Sequence, residues 1–128
     1  MKPKHTWLVL AICFICVLIG FLIKIPKPLR GNDKLLHTAF YFCAAGFLQL
    51  FFPKKLLVIC LFLLLFGIGI EYLQEYSNTI THTRIHGRFD REDIYANAKG
   101  LALYLPIGIV FWIWAERRKK RQSSALRF

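Results

Sequence analysis

The sequence predicts an all-α membrane protein: four transmembrane helices packed as a small bundle, with both termini on the cytoplasmic side. Three observations predict it. Apolar residues make up 56% of the chain, and they fall in long unbroken runs of the kind that lipid, not water, accommodates. Short segments rich in Pro, Gly and polar residues separate the runs. Basic residues flank the runs more than they interrupt them, as membrane spans require. The length, 128 residues, suits a single domain over residues 1–128.

Residues 7–23 are apolar throughout and form the first expected helix, with Trp7 placed as an interfacial anchor. Lys2 and Lys4 precede it, as in a secretory signal. The run is longer than a usual signal core, and residues 24–30 hold no small-x-small cleavage site, so an uncleaved helix is expected. Pro26, Pro28 and Gly31 end that helix, and Asn32 or Asp33 is placed to cap a second helix over residues 33–52. Pro53, Lys54 and Lys55 leave only a very short turn, so the second helix and a third over residues 56–76 form an antiparallel hairpin. Residues 77–91 are rich in Thr, His, Arg and Gly and read as a water-facing loop. Asp90 or Glu92 suits the N-terminus of a fourth helix, expected over residues 92–115 with Pro106 as a place to kink. Residues 116–128 read as a basic cytoplasmic tail.

The net charge of +11 has two ordinary uses, nucleic acid and anionic lipid. No groove-reading motif accompanies it, so nucleic-acid binding is set aside and membrane lipids are the expected partners. Four spans put the termini on one side. The positive-inside bias, carried chiefly by Arg117 to Arg121, places that side in the cytoplasm. Cys13, Cys16, Cys43 and Cys60 all lie within apolar runs, which argues against a disulfide framework. Every acidic residue except Glu116 (Asp33, Glu71, Glu75, Asp90, Glu92 and Asp93) falls on the opposite, outer side. Acids contribute little to topology, so their clustering calls for another cause.

Three helix ends on that side carry paired polar groups. Asp33 and His37 are four apart and share a helical face, with Tyr41 one turn further. A carboxylate beside an imidazole orients it, as in a general base or a metal ligand; an N-capping aspartate followed by an interfacial histidine is the plain alternative. Glu71 and Gln74 share a face at the end of a strongly apolar run, where an unpaired carboxylate is costly. Asp90, Asp93, Asn97 and Gly100 follow one stripe of the fourth helix, and Gly100 would admit a close neighbouring backbone. The cluster to explain is therefore Asp33, His37, Tyr41, Glu71, Gln74, Arg88, Asp90, Asp93 and Asn97. A purely structural network would have Arg88 and His37 satisfying Glu71 and Asp93.

The pattern Asp33-Lys34-x-x-His37-x-x-x-Tyr41, then Glu71-x-x-Gln74, then Arg88 followed by Asp90-x-x-Asp93-x-x-x-Asn97-x-x-Gly100, resembles the signature of VanZ-like membrane proteins. The resemblance covers residues 33–108. The Arg-to-Asp spacing is one residue shorter than that family's, which leaves Arg84 and Arg91 as other counterparts of Arg88, and Tyr104 stands where a second small residue is usual. The resemblance implies a multi-pass protein of the bacterial cytoplasmic membrane acting in the cell envelope, in a family linked to teicoplanin resistance and mostly without an assigned reaction.

Two functional expectations follow. In the first, the outward polar site binds the headgroup of a lipid or cell-wall precursor, with arginines meeting an anion and the amides and acids meeting hydroxyls. In the second, a membrane enzyme acts on a phosphorylated or glycosylated lipid, His37 serving as acid or base. No motif calls for a cofactor. A divalent cation would find its best-shaped ligand set in His37, Glu71 and Asp93, ahead of His82 and His86, whose loop lacks helical register. Transport is disfavoured because the polar residues gather at one surface, with only Gln49 well inside the second run.

Overall fold

The computed structural model describes residues 3–22, 31–82 and 89–125, and among them the chain is all helical. Its elements are α1 (Pro3–Leu22), α2 (Asp33–Phe51), α3 (Leu56–Thr81) and α4 (Arg91–Ala125). The α2–α3 turn is as tight as expected: Phe52 N donates to Leu48 O, and Lys55 N donates to Phe52 O, both at 3.0 Å.

Two helices, α3 and α4, are long and apolar enough to cross a membrane, with mean hydropathies of 2.6 and 1.5 over their most apolar windows. Only 33% and 22% of those windows are buried inside the chain. A core helix of a soluble protein hides most of its apolar surface, whereas these leave Leu57, Leu61, Leu65 and Val110 outward, the pattern expected of lipid contact.

Packing follows a four-residue stripe on α2. His37, Tyr41, Ala45 and Gln49 are its buried residues, so each sits about one turn from the last on a single face. That face meets α4 along Asp93, Ala96, Asn97, Gly100, Leu101, Tyr104 and Gly108, and α2 against α4 is the most extensive contact in the molecule. Gly100 is where they approach most closely: a Cβ there would lie 2.3 Å from the Thr38 backbone oxygen. Thr38 Oγ1 donates across the same crossing to Ala96 O at 3.1 Å.

Deeper in the bundle, Tyr104 fills the space where a small residue was expected. Gly46 on α2 makes room for its ring, 3.3 Å from where a Cβ would stand, and its hydroxyl donates to Gln49 Oε1 at 2.8 Å. Gln49 Nε2 in turn donates to Gly108 O at 2.9 Å and Pro53 O at 3.3 Å. The one polar side chain well inside α2 is thus structural, satisfied on both ends of its amide.

Helix α1 stands at the margin. Trp7 meets Phe52 with ring centroids 6.0 Å apart, and Phe14 meets Phe66 at 5.5 Å. Between α1 and the α2–α3 hairpin lies an apolar cavity of about 610 Å³ lined by residues such as Ala11, Phe14, Phe40, Ala44 and Phe62.

Several boundaries differ from expectation. Helix α1 begins at Pro3, before Trp7, since proline is tolerated in a first turn where its missing N–H costs nothing. Helix α3 runs on to Thr81 through a stretch expected to be loop. There Thr79 Oγ1 donates to Glu75 O at 3.0 Å and Thr81 Oγ1 to Ser77 O at 2.8 Å, so polar side chains bond back to their own helix. The helix stops at His82, which is left-handed at φ 50°. Helix α4 continues ten residues past Ala115 to Ala125. The segment is rich in Arg, Lys and Gln, all good helix formers without a breaker, and Glu116 pairs with Lys54 of the α2–α3 turn. The helix passes through Pro106 unbroken. Asn32 occupies the N-cap position of α2 but makes no side-chain cap bond.

Candidate functional site

The N-terminal ends of α2 and α4 and the C-terminal half of α3 meet where the polar pairs were expected. The start of α4 is fixed by Asp90, whose Oδ1 accepts from Glu92 N at 2.8 Å, an N-cap geometry two residues into the turn. Glu71 Oε2 accepts from Asp90 N at 3.2 Å, and Glu75 Oε2 from Phe89 N at 3.0 Å. Two carboxylates one turn apart on α3 thus hold the entry to α4, and Tyr72 packs its ring on Phe89 with centroids 4.9 Å apart.

His37 and Asn97 form the link between α2 and α4. His37 Nδ1 lies 2.8 Å from Asn97 Oδ1, both side chains buried. The amide oxygen can only accept, so the ring proton sits on Nδ1 and donates to it. The opposite nitrogen, Nε2, then faces two carboxylates: Asp33 Oδ1 at 3.8 Å and Asp93 Oδ2 at 4.0 Å. Asp33, His37 and Asp93 each offer one ligand atom within 4.8 Å of the others.

Tyr41 and Asn97 converge on Gly67 of α3. A Cβ at Gly67 would lie 2.7 Å from the Tyr41 hydroxyl and 2.6 Å from Asn97 Nδ2, so this glycine seats both side chains. Glu71 is one turn above Gly67 on the same face and nearly fully buried. Among the described residues its Oε1 has no hydrogen-bond partner, and the same holds for the Tyr41 hydroxyl, Asp33 Oδ1 and Asp93 Oδ1.

Lys34 rims the site. Its ammonium pairs with Glu92, stands 3.4 Å from Asp90 Oδ2 and 3.9 Å from Asp93 Oδ1. The sequence pattern holds Lys34 beside Asp33, but the expected cluster does not include it. The signal was its register: Lys34 reaches the acidic first turn of α4, where Glu92 and Asp93 lie.

Of the expected cluster, Asp33, His37, Tyr41, Glu71, Asp90, Asp93 and Asn97 gather at this end. Gln74 is half-buried and engaged one turn from Glu71. Arg88 and Arg84 lie outside the described residues, and Arg91 opens α4 as an exposed side chain. The side chains whose potential ligand atoms lie together are Asp33, His37 and Asp93, so Asp33 stands where Glu71 was expected. His82 closes α3 in a left-handed turn, which breaks the register a pair with His86 would need, and His86 itself lies outside the described residues.

Comparison with protein-family models, with curated proteins and with solved structures finds no match to this chain.

Proposed function

We propose that the chain is a VanZ-like, multi-pass protein of a bacterial cytoplasmic membrane, with all four helices spanning and both termini inside, and that its outer polar site binds the headgroup of a lipid or cell-wall precursor. The observation that carries this reading is the convergence of Asp33, His37, Glu71, Asp93 and Asn97 at one end of α2, α3 and α4. Buried ionisable groups at a membrane edge are costly, and a role in recognition offsets that cost. The four sealed oxygens without partners are acceptors and a hydroxyl of the sort that sugar hydroxyls or a bridged phosphate would satisfy. The apolar cavity beside α1 supports the same reading, since it offers a place for the acyl or polyprenyl tail of such a ligand.

The test is binding of lipids to the full-length protein in nanodiscs, with undecaprenyl-linked and ordinary phospholipids compared. Selective retention of a lipid, lost in Asp93→Asn, is the expected result. Equal retention by wild type and Asp93→Asn, together with unchanged teicoplanin susceptibility in cells expressing either, would overturn the reading.

A second reading is favoured by one feature, the His37 ring held by Asn97 with Nε2 facing two carboxylates. Such a ring is oriented for proton transfer, which fits an enzyme acting on a phosphorylated or glycosylated lipid. Turnover of any lipid in the same panel, abolished by His37→Gln, separates this from binding alone.

A further inference from the structure

We infer that Asp33, His37 and Asp93 form a binding site for a divalent cation of the Mn²⁺ or Zn²⁺ kind. The three side chains come from the first turns of α2 and α4, and their ligand atoms lie within 4.8 Å of one another. The His37 Nε2 distances to Asp33 and Asp93, 3.8 and 4.0 Å, are too long for hydrogen bonds, which end near ~3.2 Å. They approach the spacing of atoms sharing an ion. Ligands at roughly 2.0–2.2 Å from a common metal stand about 3–3.6 Å apart, so small side-chain rotations close the set.

Clustered acids alone would not carry this. Two independent features do. His37 and Asp93 are only 7% and 8% exposed, yet Asp33 Oδ1 and Asp93 Oδ1 are sealed from solvent without a hydrogen-bond partner among the described residues. The contact of Nδ1 with Asn97 points the Nε2 edge of the ring at both carboxylates, with Asp33 Oδ1 and Asp93 Oδ2 nearest to it. Two carboxylates drawn together at one imidazole edge favour a positive charge between them. Lys34 supplies part of that charge at 3.9 Å from Asp93, but it is half-exposed and shared with Asp90 and Glu92.

The donor set selects the ion. Two carboxylate oxygens favour hard cations and one imidazole favours borderline ones, so Mn²⁺ and Zn²⁺ fit better than Cu⁺, which wants sulfur, or Mg²⁺, which wants oxygen alone. Asn97 plays the outer partner that holds a metal-binding histidine in its tautomer. Three protein ligands leave positions open, which would take a phosphate oxygen of the headgroup. That last clause rests on the binding reading above; the ion does not.

The experiment uses full-length protein in nanodiscs, stripped with chelator and titrated with Mn²⁺ under electron paramagnetic resonance, and with Zn²⁺ in competition. One tight equivalent per chain is expected, weakened about 100-fold or more in His37→Ala and Asp93→Asn. Asp33→Asn, at the more exposed edge, should weaken it less while leaving the fold intact by circular dichroism. Glu92→Gln, outside the triad, should change affinity less than about twofold. Absence of binding by folded wild type, or equal binding by Asp33→Asn and Asp93→Asn variants and wild type, would overturn the proposal. So would a ¹⁵N spectrum of stripped and Zn²⁺-treated protein showing His37 doubly protonated in both, since a proton would then fill the role. Metal binding without lipid retention would sustain this site and remove the headgroup reading.

Discussion

Asn97 Oδ1 lies 2.8 Å from His37 Nδ1, across the closest-packed helix pair in the molecule. This bond decides which way the imidazole presents its lone pair, so Asn97 is a positioning residue acting through His37. Asn97→Leu keeps a similar volume and removes the acceptor. The ring is then free to move its proton to Nε2 and donate to Asp33 or Asp93. The expected outcome is a change of His37 tautomer in the ¹⁵N spectrum and a Mn²⁺ affinity about 10- to 100-fold lower. An unchanged tautomer would show that neighbours other than Asn97 set the ring.

Gly100 and Gly69 give a contrast within one fold. Replacing a helical glycine by alanine ordinarily stabilises by about 0.5–1 kcal/mol. At Gly69 nothing lies within 4 Å of the new methyl, so Gly69→Ala should raise thermal stability by that order. At Gly100 the methyl would meet the Thr38 backbone oxygen at 2.3 Å, and backbone does not swing aside as a side chain does. Gly100→Ala should therefore destabilise by roughly 1–3 kcal/mol through separation of α2 from α4, and should weaken the His37–Asn97 bond beside it. Thermal melts of both variants in the same detergent check the pair.

Much of the outer site was legible because it obeys helical spacing within single segments. Asp33 with His37, Glu71 with Gln74, and Asp93 with Asn97 and Gly100 were each visible as one face; His37, Glu71, Asp93, Asn97 and Gly100 are buried, and Asp33 and Gln74 are half-buried at the edge. What spacing cannot reveal is pairing between segments. That His37 meets Asn97, or that Asp33 and not Glu71 lies with His37 and Asp93, depends on how α2, α3 and α4 pack against one another. The same holds deeper in: Gln49 looked like a stray polar group until Tyr104 and Gly108 met it across the bundle. The ends of α3 and α4 lie beyond the expected ones because polar residues also continue a helix, and in α4 the run of Arg and Lys has good helix propensity.

The Gln49 network makes its own prediction. Tyr104→Phe leaves Gln49 Oε1 buried without a donor, and Gln49→Leu leaves the Tyr104 hydroxyl without its acceptor and removes the second donor to Gly108 O. Each single change should cost on the order of 0.5–2 kcal/mol, the lower end being usual for hydrogen bonds between membrane helices. The double change Gln49→Leu with Tyr104→Phe removes both ends of the side-chain pair, so its cost should fall below the sum of the singles. Strict additivity in unfolding free energies would mean the two residues are stabilised independently.

Helix α4 sets a length problem that tests the membrane arrangement. At ~1.5 Å per residue its 35 residues extend about 52 Å, against about 30 Å of hydrocarbon. If Asp93 sits at the outer edge, residues beyond Ala115 must emerge on the other side, where Glu116 pairs with Lys54 and the basic run meets anionic headgroups. Single cysteines on a background lacking Cys13, Cys16, Cys43 and Cys60 report this directly. Thr79→Cys, exposed near the end of α3, should react with an impermeant maleimide in intact spheroplasts, whereas Ser124→Cys should react only after lysis. The reverse pattern would invert the orientation, and labelling of both before lysis would mean that α4 does not cross.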